Sequence, residues 1–231
     1  INSNSAIKNI IDARSLGIKC FKIKTGINNK LDKNLIERVF KIKKSNEKIM
    51  LDINQGWEFK NANSYIKKIS KYPIFWLEEP ISARSSEKDY LNLIENSKVN
   101  LALGENVYNK NLINILLKNK NLNFFQPDIT KYGGISLVHE YLNSKFSNKI
   151  FLHFLGSGVG LITSAHIMSA INSNGLLETD FNKNPLRDHI FNETIKIKNG
   201  KIYLNNKPGI GFTLSKKIIK KYTIKKFTYK T

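Results

Sequence analysis

Seven short apolar runs at nearly even intervals constrain this chain more than any other feature of it. They cover residues 20–24, 49–52, 74–78, 101–104, 124–126, 150–153 and 176–178, and their ends recur every 22–28 positions. Each is too short for a helix and rich in Ile, Leu or Phe, as strands buried on both faces of a parallel sheet are. Between them lie stretches of helical spacing. Residues 5–16 carry Ile7, Ile10, Ile11 and Leu16 and stop at Gly17. Leu35, Ile36, Val39 and Phe40 mark the next, followed by Tyr65 to Ile69, Tyr90 to Ile94, Ile113 to Leu116, and the stretches 137–146 and 161–171.

Alternation of strand and helix at this period means βαβ units and a parallel sheet. Seven even repeats, with no GxGxxG after the first, favour an α/β chain closed into a TIM-type (β/α) barrel over an open dinucleotide-binding sheet. The first helix has no strand before it. The expectation is therefore a catalytic barrel domain over residues 1–190 whose first strand lies upstream of residue 1. The pattern changes from residue 191. Residues 194–198, the turn pair Asn199-Gly200 and residues 201–204 read as a hairpin, and Pro208-Gly209 leads into a short helix at 214–221. This 191–231 extension is expected to pack outside the barrel.

A chain of 231 residues with 41% hydrophobic content can form one large core. Lone Cys20 cannot form an internal disulfide, which fits a reducing cytoplasm. There is no signal peptide and no apolar run of membrane-spanning length. The chain opens on Ile rather than Met, so a fragment of a longer protein is expected. The net charge of +20 invites a nucleic-acid partner. However, the lysines are spread over nearly every segment, beside Asn and Ile, and no nucleic-acid module or aromatic–basic interleaving accompanies them. The densest group (Lys216, Lys217, Lys220, Lys221, Lys225 and Lys226) reads as a solvated helix face and tail. Neither nucleic acid nor membrane is the expected partner.

Barrel chemistry sits at the C-terminal strand ends. In order these carry Lys22 and Lys24, Asp52 and Asn54, Glu78, Glu105, Asp128, His153 and Glu178. A barrel interior does not tolerate so many unpaired charges, so they must pair with one another or with a metal. Asp52, Glu78 and Glu105 come from consecutive strands. Three converging oxygen ligands without Cys or His suit a hard cation such as Mg²⁺ rather than zinc. The bland alternative is that each carboxylate caps the helix after it. Lys22 and Lys24 flank Ile23 and so share a side of their strand. Two neighbouring ammonium groups are expected to lower each other's pKa, which suits a general base, although an exposed Lys-rich edge would look the same. Asp128 beside His153 gives an acid/base pair with a fixed tautomer. Glu178 either donates a hydrogen bond to a developing oxyanion or forms a salt bridge to Lys22 or Lys24. The G-S-G-V-G stretch from Gly156 to Gly160 lacks the P-loop lysine and reads as a tight turn into a helix.

Seven motifs in order now carry a resemblance. They are F-K-I-K-T-G (21–26), L-D-I-N-Q-G-W (51–57), W-L-E-E-P (76–80), G-E-N (104–106), Q-P-D-I-T-K-Y-G-G (126–134), H-F-L-G-S-G-V-G (153–160) and L-L-E-T-D (176–180). Over residues 5 to about 212 the chain resembles the enolase superfamily, mandelate racemase subgroup. The resemblance implies one Mg²⁺ per active site on Asp52, Glu78 and Glu105, with Glu79 supporting. It implies Lys24 as the base on one substrate face with Lys22 as its electrostatic partner, and His153 with Asp128 as acid/base on the other face. Glu178 would hydrogen-bond the substrate carboxylate, and Asn54 and Lys131 would lie near the substrate. The implied reaction is removal of the proton α to a carboxylate, giving a metal-stabilised enediolate. Dehydration of an acid sugar or hydroxy acid is the default outcome, with racemisation, epimerisation or cycloisomerisation as alternatives. Relatives carry an α+β capping domain before the barrel, which this chain lacks, and the full-length form is expected to be a homo-oligomer. An inactive fragment and a basic nucleic-acid-binding protein are the readings from other classes.

Overall fold

The structure, a computed structural model, describes residues 3–136, 149–171 and 173–228. The helix expected at 137–146 lies outside them. Five of the expected strands form ladders: β1 (Cys20–Lys24), β2 (Lys48–Asp52), β3 (Trp76–Glu78), β4 (Leu101–Leu103) and β5 (Phe124–Phe125). They lie side by side in chain order, each neighbouring pair parallel. The last two expected strands are reduced to single contacts. Ile150 bridges Phe125 in parallel, and the Glu178 N–H donates to the Leu152 carbonyl at 3.1 Å. Pro127, two residues past Phe125, has no N–H to extend the β5 ladder.

The helices follow the expected alternation: α1 (Ser3–Ser15), α2 (Asn29–Ile42), α3 (Phe59–Ile69), α4 (Glu87–Asn96), α5 (Lys110–Lys118) and α6 (Gly158–Ala170). Local chemistry starts several of them. The Asn28 side chain accepts from the Lys30 and Leu31 amides, Asn109 from Leu112, and Ser86 forms a capping box with Asp89.

Strand alternation sorts the side chains into two layers. Ile23, Ile49, Leu51, Leu77, Leu101 and Phe125 face outward and pack under Leu35, Val39, Ile66, Leu93 and Leu116 of the helices. Met50, Trp76, Ala102 and Phe151 face inward, joined by Cys20, Phe75, Phe124 and Leu176. Phe151 meets its neighbours in this inner cluster edge-on, with centroids 4.8 Å apart for Phe124–Phe151 and 5.5 Å for Trp76–Phe151. Cys20 and Leu176, from the first and last runs, both pack on this cluster. The sheet therefore curves until its two ends share one interior. The result is an apolar plug under the C-terminal strand ends.

The C-terminal residues add α7 (Pro185–Asp188), the hairpin β6 (Ile197–Lys198) and β7 (Lys201–Ile202), and α8 (Lys216–Tyr222). Ile190, Phe191, Ile195, Ile202, Phe212 and Ile218 gather on Ile162 of α6. Asn199 and Gly200 take φ of 53° and 70°, as a tight hairpin turn of this type demands. The Gly200 N–H reaches the Leu16 carbonyl at 2.8 Å. A Cβ on Gly17 would stand 2.6 Å from Asn199 Cα, so only glycine permits that approach. Among the described residues, no helix is long and apolar enough to cross a membrane.

One ion pair ties α1 to the turn before β2. Arg14 grips Glu47 with two hydrogen bonds, at 2.7 and 2.9 Å, and its second guanidinium nitrogen also donates to the Ile42 carbonyl at 2.7 Å. The Arg14 hydrogen bond, together with the Lys44 amide, outweighs burial and holds the Glu47 carboxyl below its ordinary 4.5. A lowered carboxyl pKa contributes stability above the ordinary value that is lost as pH falls through the folded value. Glu47→Gln is expected to cost about 2 kcal/mol at pH 7. Urea midpoints should show the difference between variant and parent shrinking as pH drops below about 4.5.

Candidate functional site

Register places the charged groups. Lys24 pairs with Asp52, and Asp52 with Glu78, so three ionisable side chains leave neighbouring strands at one height. Lys22 points the same way, one pleat lower. The backbone turns sharply just above this row. Asn54, Gln55 and Glu79 have φ of 47°, 63° and 38°, sparse values for residues with a Cβ and concentrated past the ends of β2 and β3. The Asn54 amide donates to Asp52 Oδ1 at 2.8 Å, while the Asn54 side chain faces solvent. Past β4, Gly104 (φ +145°) brings Glu105 into the mouth, and a Cβ there would meet the Gln126 nitrogen at 2.8 Å.

Lys22 is the centre of the cluster. Its ammonium group contacts Glu78 Oε1, lies 2.7 Å from Glu178 Oε1 and 3.5 Å from Asp52 Oδ2. Burial alone would lower its pKa, but these carboxylates outweigh that and hold it well above an ordinary lysine. The expected mutual lowering by Lys24 is therefore overridden at Lys22, because Glu78, Glu178 and Asp52 all pull on its charge. Of the two roles left open for Glu178, the structure shows the ion pair. Lys24 bonds Asp52 Oδ2 at 2.6 Å and keeps 43% of its side chain exposed. Asp52 is nevertheless held below the usual aspartate range, since Lys22 and Lys24 outweigh its burial. Burial in the aromatic plug pushes Glu78 up to about 7, against the pull of Lys22.

Across the mouth, His153 Nδ1 meets Asp128 Oδ2 at 2.8 Å. Asp128 Oδ1 accepts from the Thr130 amide at 2.7 Å and its hydroxyl at 2.6 Å. These bonds overcome burial and keep the Asp128 carboxyl low. Burial works against the imidazolium, but Asp128, Glu178 and Glu105 raise the His153 pKa overall. Its free Nε2 lies 3.3 Å from Glu105 Oε1 and 3.6 Å from Glu178 Oε2. Lys131 binds Glu105 and also reaches Asn106 Oδ1 at 3.2 Å. Glu79 accepts from the Asn106 amide at 3.1 Å and side chain at 2.7 Å, so it braces the loop and not the mouth.

The structure thus brings Lys22, Lys24, Asp52, Glu78, Glu178, His153, Asp128, Glu105 and Lys131 into one connected cluster. Asn54 joins it only through its backbone. Sequence reasoning did not single out Trp76, Gln126 or Thr130. Trp76 Nε1 and Gln126 Nε2 both donate to Glu78 Oε2, at 3.1 and 3.0 Å. Only Trp76 had a signal in the sequence, since it lies two residues before Glu78 on the same strand and so on the same face.

Residues 6–218 match the family model described as enolase C-terminal domain-like. The chain belongs to this family. It is 28% identical over 217 residues to the arabinonate dehydratase of Saccharolobus solfataricus, covering 91% of this chain and 57% of that protein. It is 27% identical to the L-talarate/galactarate dehydratase of Salmonella typhimurium, covering 92% of this chain and 52% of that enzyme. A structure of the Salmonella enzyme liganded with Mg and L-lyxarohydroxamate superposes with a TM-score of 0.81, at 24% identity over 95% of this chain and 55% of that one. The mandelate racemase/muconate lactonizing enzyme of Bordetella bronchiseptica RB50 superposes with a TM-score of 0.82 and 28% identity, over 93% of this chain and 61% of that one. The chain therefore spans little more than half the length of the curated relatives it matches.

A hard cation fits the chemistry of this enolase-like site. The donor set is all oxygen, and Glu178 Oε2, shielded from solvent, has no hydrogen-bond partner. Among the described residues, however, no three acidic or imidazole side chains are arranged to hold an ion as they stand. Lysines are interposed, Lys22 against Asp52 and Glu78, and Lys131 against Glu105. The acids already require cationic neighbours. Lys22→Met leaves Asp52, Glu78 and Glu178 buried without their shared counter-charge, and the expected loss is about 3–5 kcal/mol of folding stability at pH 7. Denaturant titration should show part of that loss recovered on adding Glu78→Gln, which removes one of the stranded charges.

Proposed function

We propose that this chain forms the catalytic barrel of a lyase or isomerase that removes the proton α to the carboxylate of an acid sugar, most simply as a dehydratase. The observation that carries the reading is the Asp128–His153 pair, which faces the Lys22–Lys24 strand across a mouth lined by Asp52, Glu78 and Glu105. Two proton-transfer groups on opposite sides of a polar pocket are what α-proton chemistry with a second, directed proton step requires. The dehydratases among the relatives support the substrate class.

In this reading Asp52, Glu78 and Glu105 hold Mg²⁺. Bound there, the ion supplies positive charge against the second negative charge that develops on the substrate carboxylate. Lys22, fixed as a cation, and Glu178 orient that carboxylate from the floor. Lys24, the more exposed lysine, takes the α-proton, and the electron pair moves onto the carboxylate to give an enediolate. His153, whose Nδ1–H is held by Asp128, acts as the imidazolium and presents Nε2–H to the β-hydroxyl. The C–O bond breaks, the hydroxyl leaves as water with the His153 proton, and the resulting enol relaxes to a 2-keto acid. If the His153 proton were delivered to the α-carbon instead, from the face opposite Lys24, the outcome would be inversion. Lys131 and Asn54, at the rim, contact the remainder of the substrate.

The full-length protein, given Mg²⁺ and a panel of acid sugars and hydroxy acids in D₂O, is expected to eliminate water from one of them or to exchange its α-hydrogen for deuterium. Lys24→Ala and His153→Asn should each lower turnover by about 10²–10⁴-fold. Turnover that survives both substitutions would rule out the two-base assignment.

A further inference from the structure

Glu78 differs from the other acids of the mouth in how its two oxygens are used. Oε1 faces Lys22, while Oε2 receives two neutral donors, Trp76 Nε1 at 3.1 Å and Gln126 Nε2 at 3.0 Å. All three side chains are at most 3% exposed. A glutamate carboxylate ordinarily presents either oxygen, because its terminal torsion is broad and twofold. Two donors on a single oxygen remove that equivalence. Neither donor is free to drift. The Trp76 indole is wedged against Phe75, Phe124 and Phe151, with centroids 5.1–5.5 Å away. The Gln126 amide turns its NH₂ toward Glu78 and leaves its own Oε1 buried with no hydrogen-bond partner. That orientation follows from chemistry, since the reversed amide would put its oxygen against the carboxylate oxygen. A buried glutamine that strands its acceptor in order to direct its donor is poorly explained by packing alone.

We propose that Trp76 and Gln126 are positioning residues that fix which oxygen of Glu78 faces a divalent cation. The inference rests on the reading of Glu78 as a cation ligand. It assigns the opposite oxygen to the two neutral donors and leaves Oε1 for whichever positive group occupies the mouth. Outer partners of a ligand tune metal affinity by orienting it.

The test uses the full-length protein with Mg²⁺ alone, read by calorimetry and by tryptophan fluorescence in a background where every tryptophan except Trp76, Trp57 included, is replaced by phenylalanine. Mg²⁺ is expected to change Trp76 emission, and Glu78→Gln to abolish that response. Gln126→Leu, which removes the donor and the stranded acceptor while keeping apolar bulk, should weaken Mg²⁺ binding about 10-fold or more with an unchanged melting temperature. Trp76→Phe, which keeps a ring in the plug, should do the same by calorimetry. If it fails to fold, Gln126→Leu decides alone. A parent that binds Mg²⁺ while Gln126→Leu binds it equally well overturns this proposal and leaves Glu78 a ligand. A parent that binds no Mg²⁺ overturns the cation reading itself.

Discussion

Parallel pairing in a single register is the constraint on which everything else depends. Lys24, Asp52 and Glu78 are neighbours only because β1, β2 and β3 pair without a slip. Shifting one strand by a residue would send its acid into the outer layer, where Leu51 and Leu77 now pack beneath the helices, and bring those leucines to the mouth. The same alternation that buries the outer leucines therefore aims the acids, and the fold and the site are specified by one periodicity. Left-handed backbone at Asn54, Gln55 and Glu79, just past two of these strand ends, shows where local geometry has been bent to let the chain turn away immediately.

The second constraint is electrostatic. Trp76, Phe124 and Phe151 make the floor of the mouth apolar, so charge above it is expensive unless it is answered nearby. Lys22 answers three carboxylates at once, and Lys131 answers Glu105. This is why Lys22 is held as a cation and Glu78 is driven upward in the same small volume. In this cluster Lys24 keeps 43% of its side chain exposed, whereas His153 is buried against Asp128 and Glu105. The enolase-like family membership and the resemblance to acid-sugar dehydratases agree with that arrangement.

Much of this was legible in the sequence. The even spacing of apolar runs announced a parallel α/β architecture, and the strand-end positions picked out Asp52, Glu78, Glu105, Asp128, His153 and the two lysines. Spacing encodes which residues share a face, because the strand period is two and parallel neighbours align. The Asn199-Gly200 turn was equally plain, since few other pairs accept left-handed backbone at both positions.

Distance and partner choice were decided only in three dimensions. The sequence left Glu178 between an oxyanion donor and a salt bridge, and the curvature that brings the last run back to β1 chose Lys22. It suggested that Lys22 and Lys24 would weaken each other's hold on a proton, yet the three acids that converge on Lys22 come from distant parts of the chain and reverse that effect at Lys22. It put Trp76 on the face of Glu78 but did not show that Gln126 would join it on one oxygen of that carboxylate. Periodicity determines the face on which a side chain lies. Which charges and donors meet on that face depends on the closing of the sheet, a property of the whole chain that no local stretch contains.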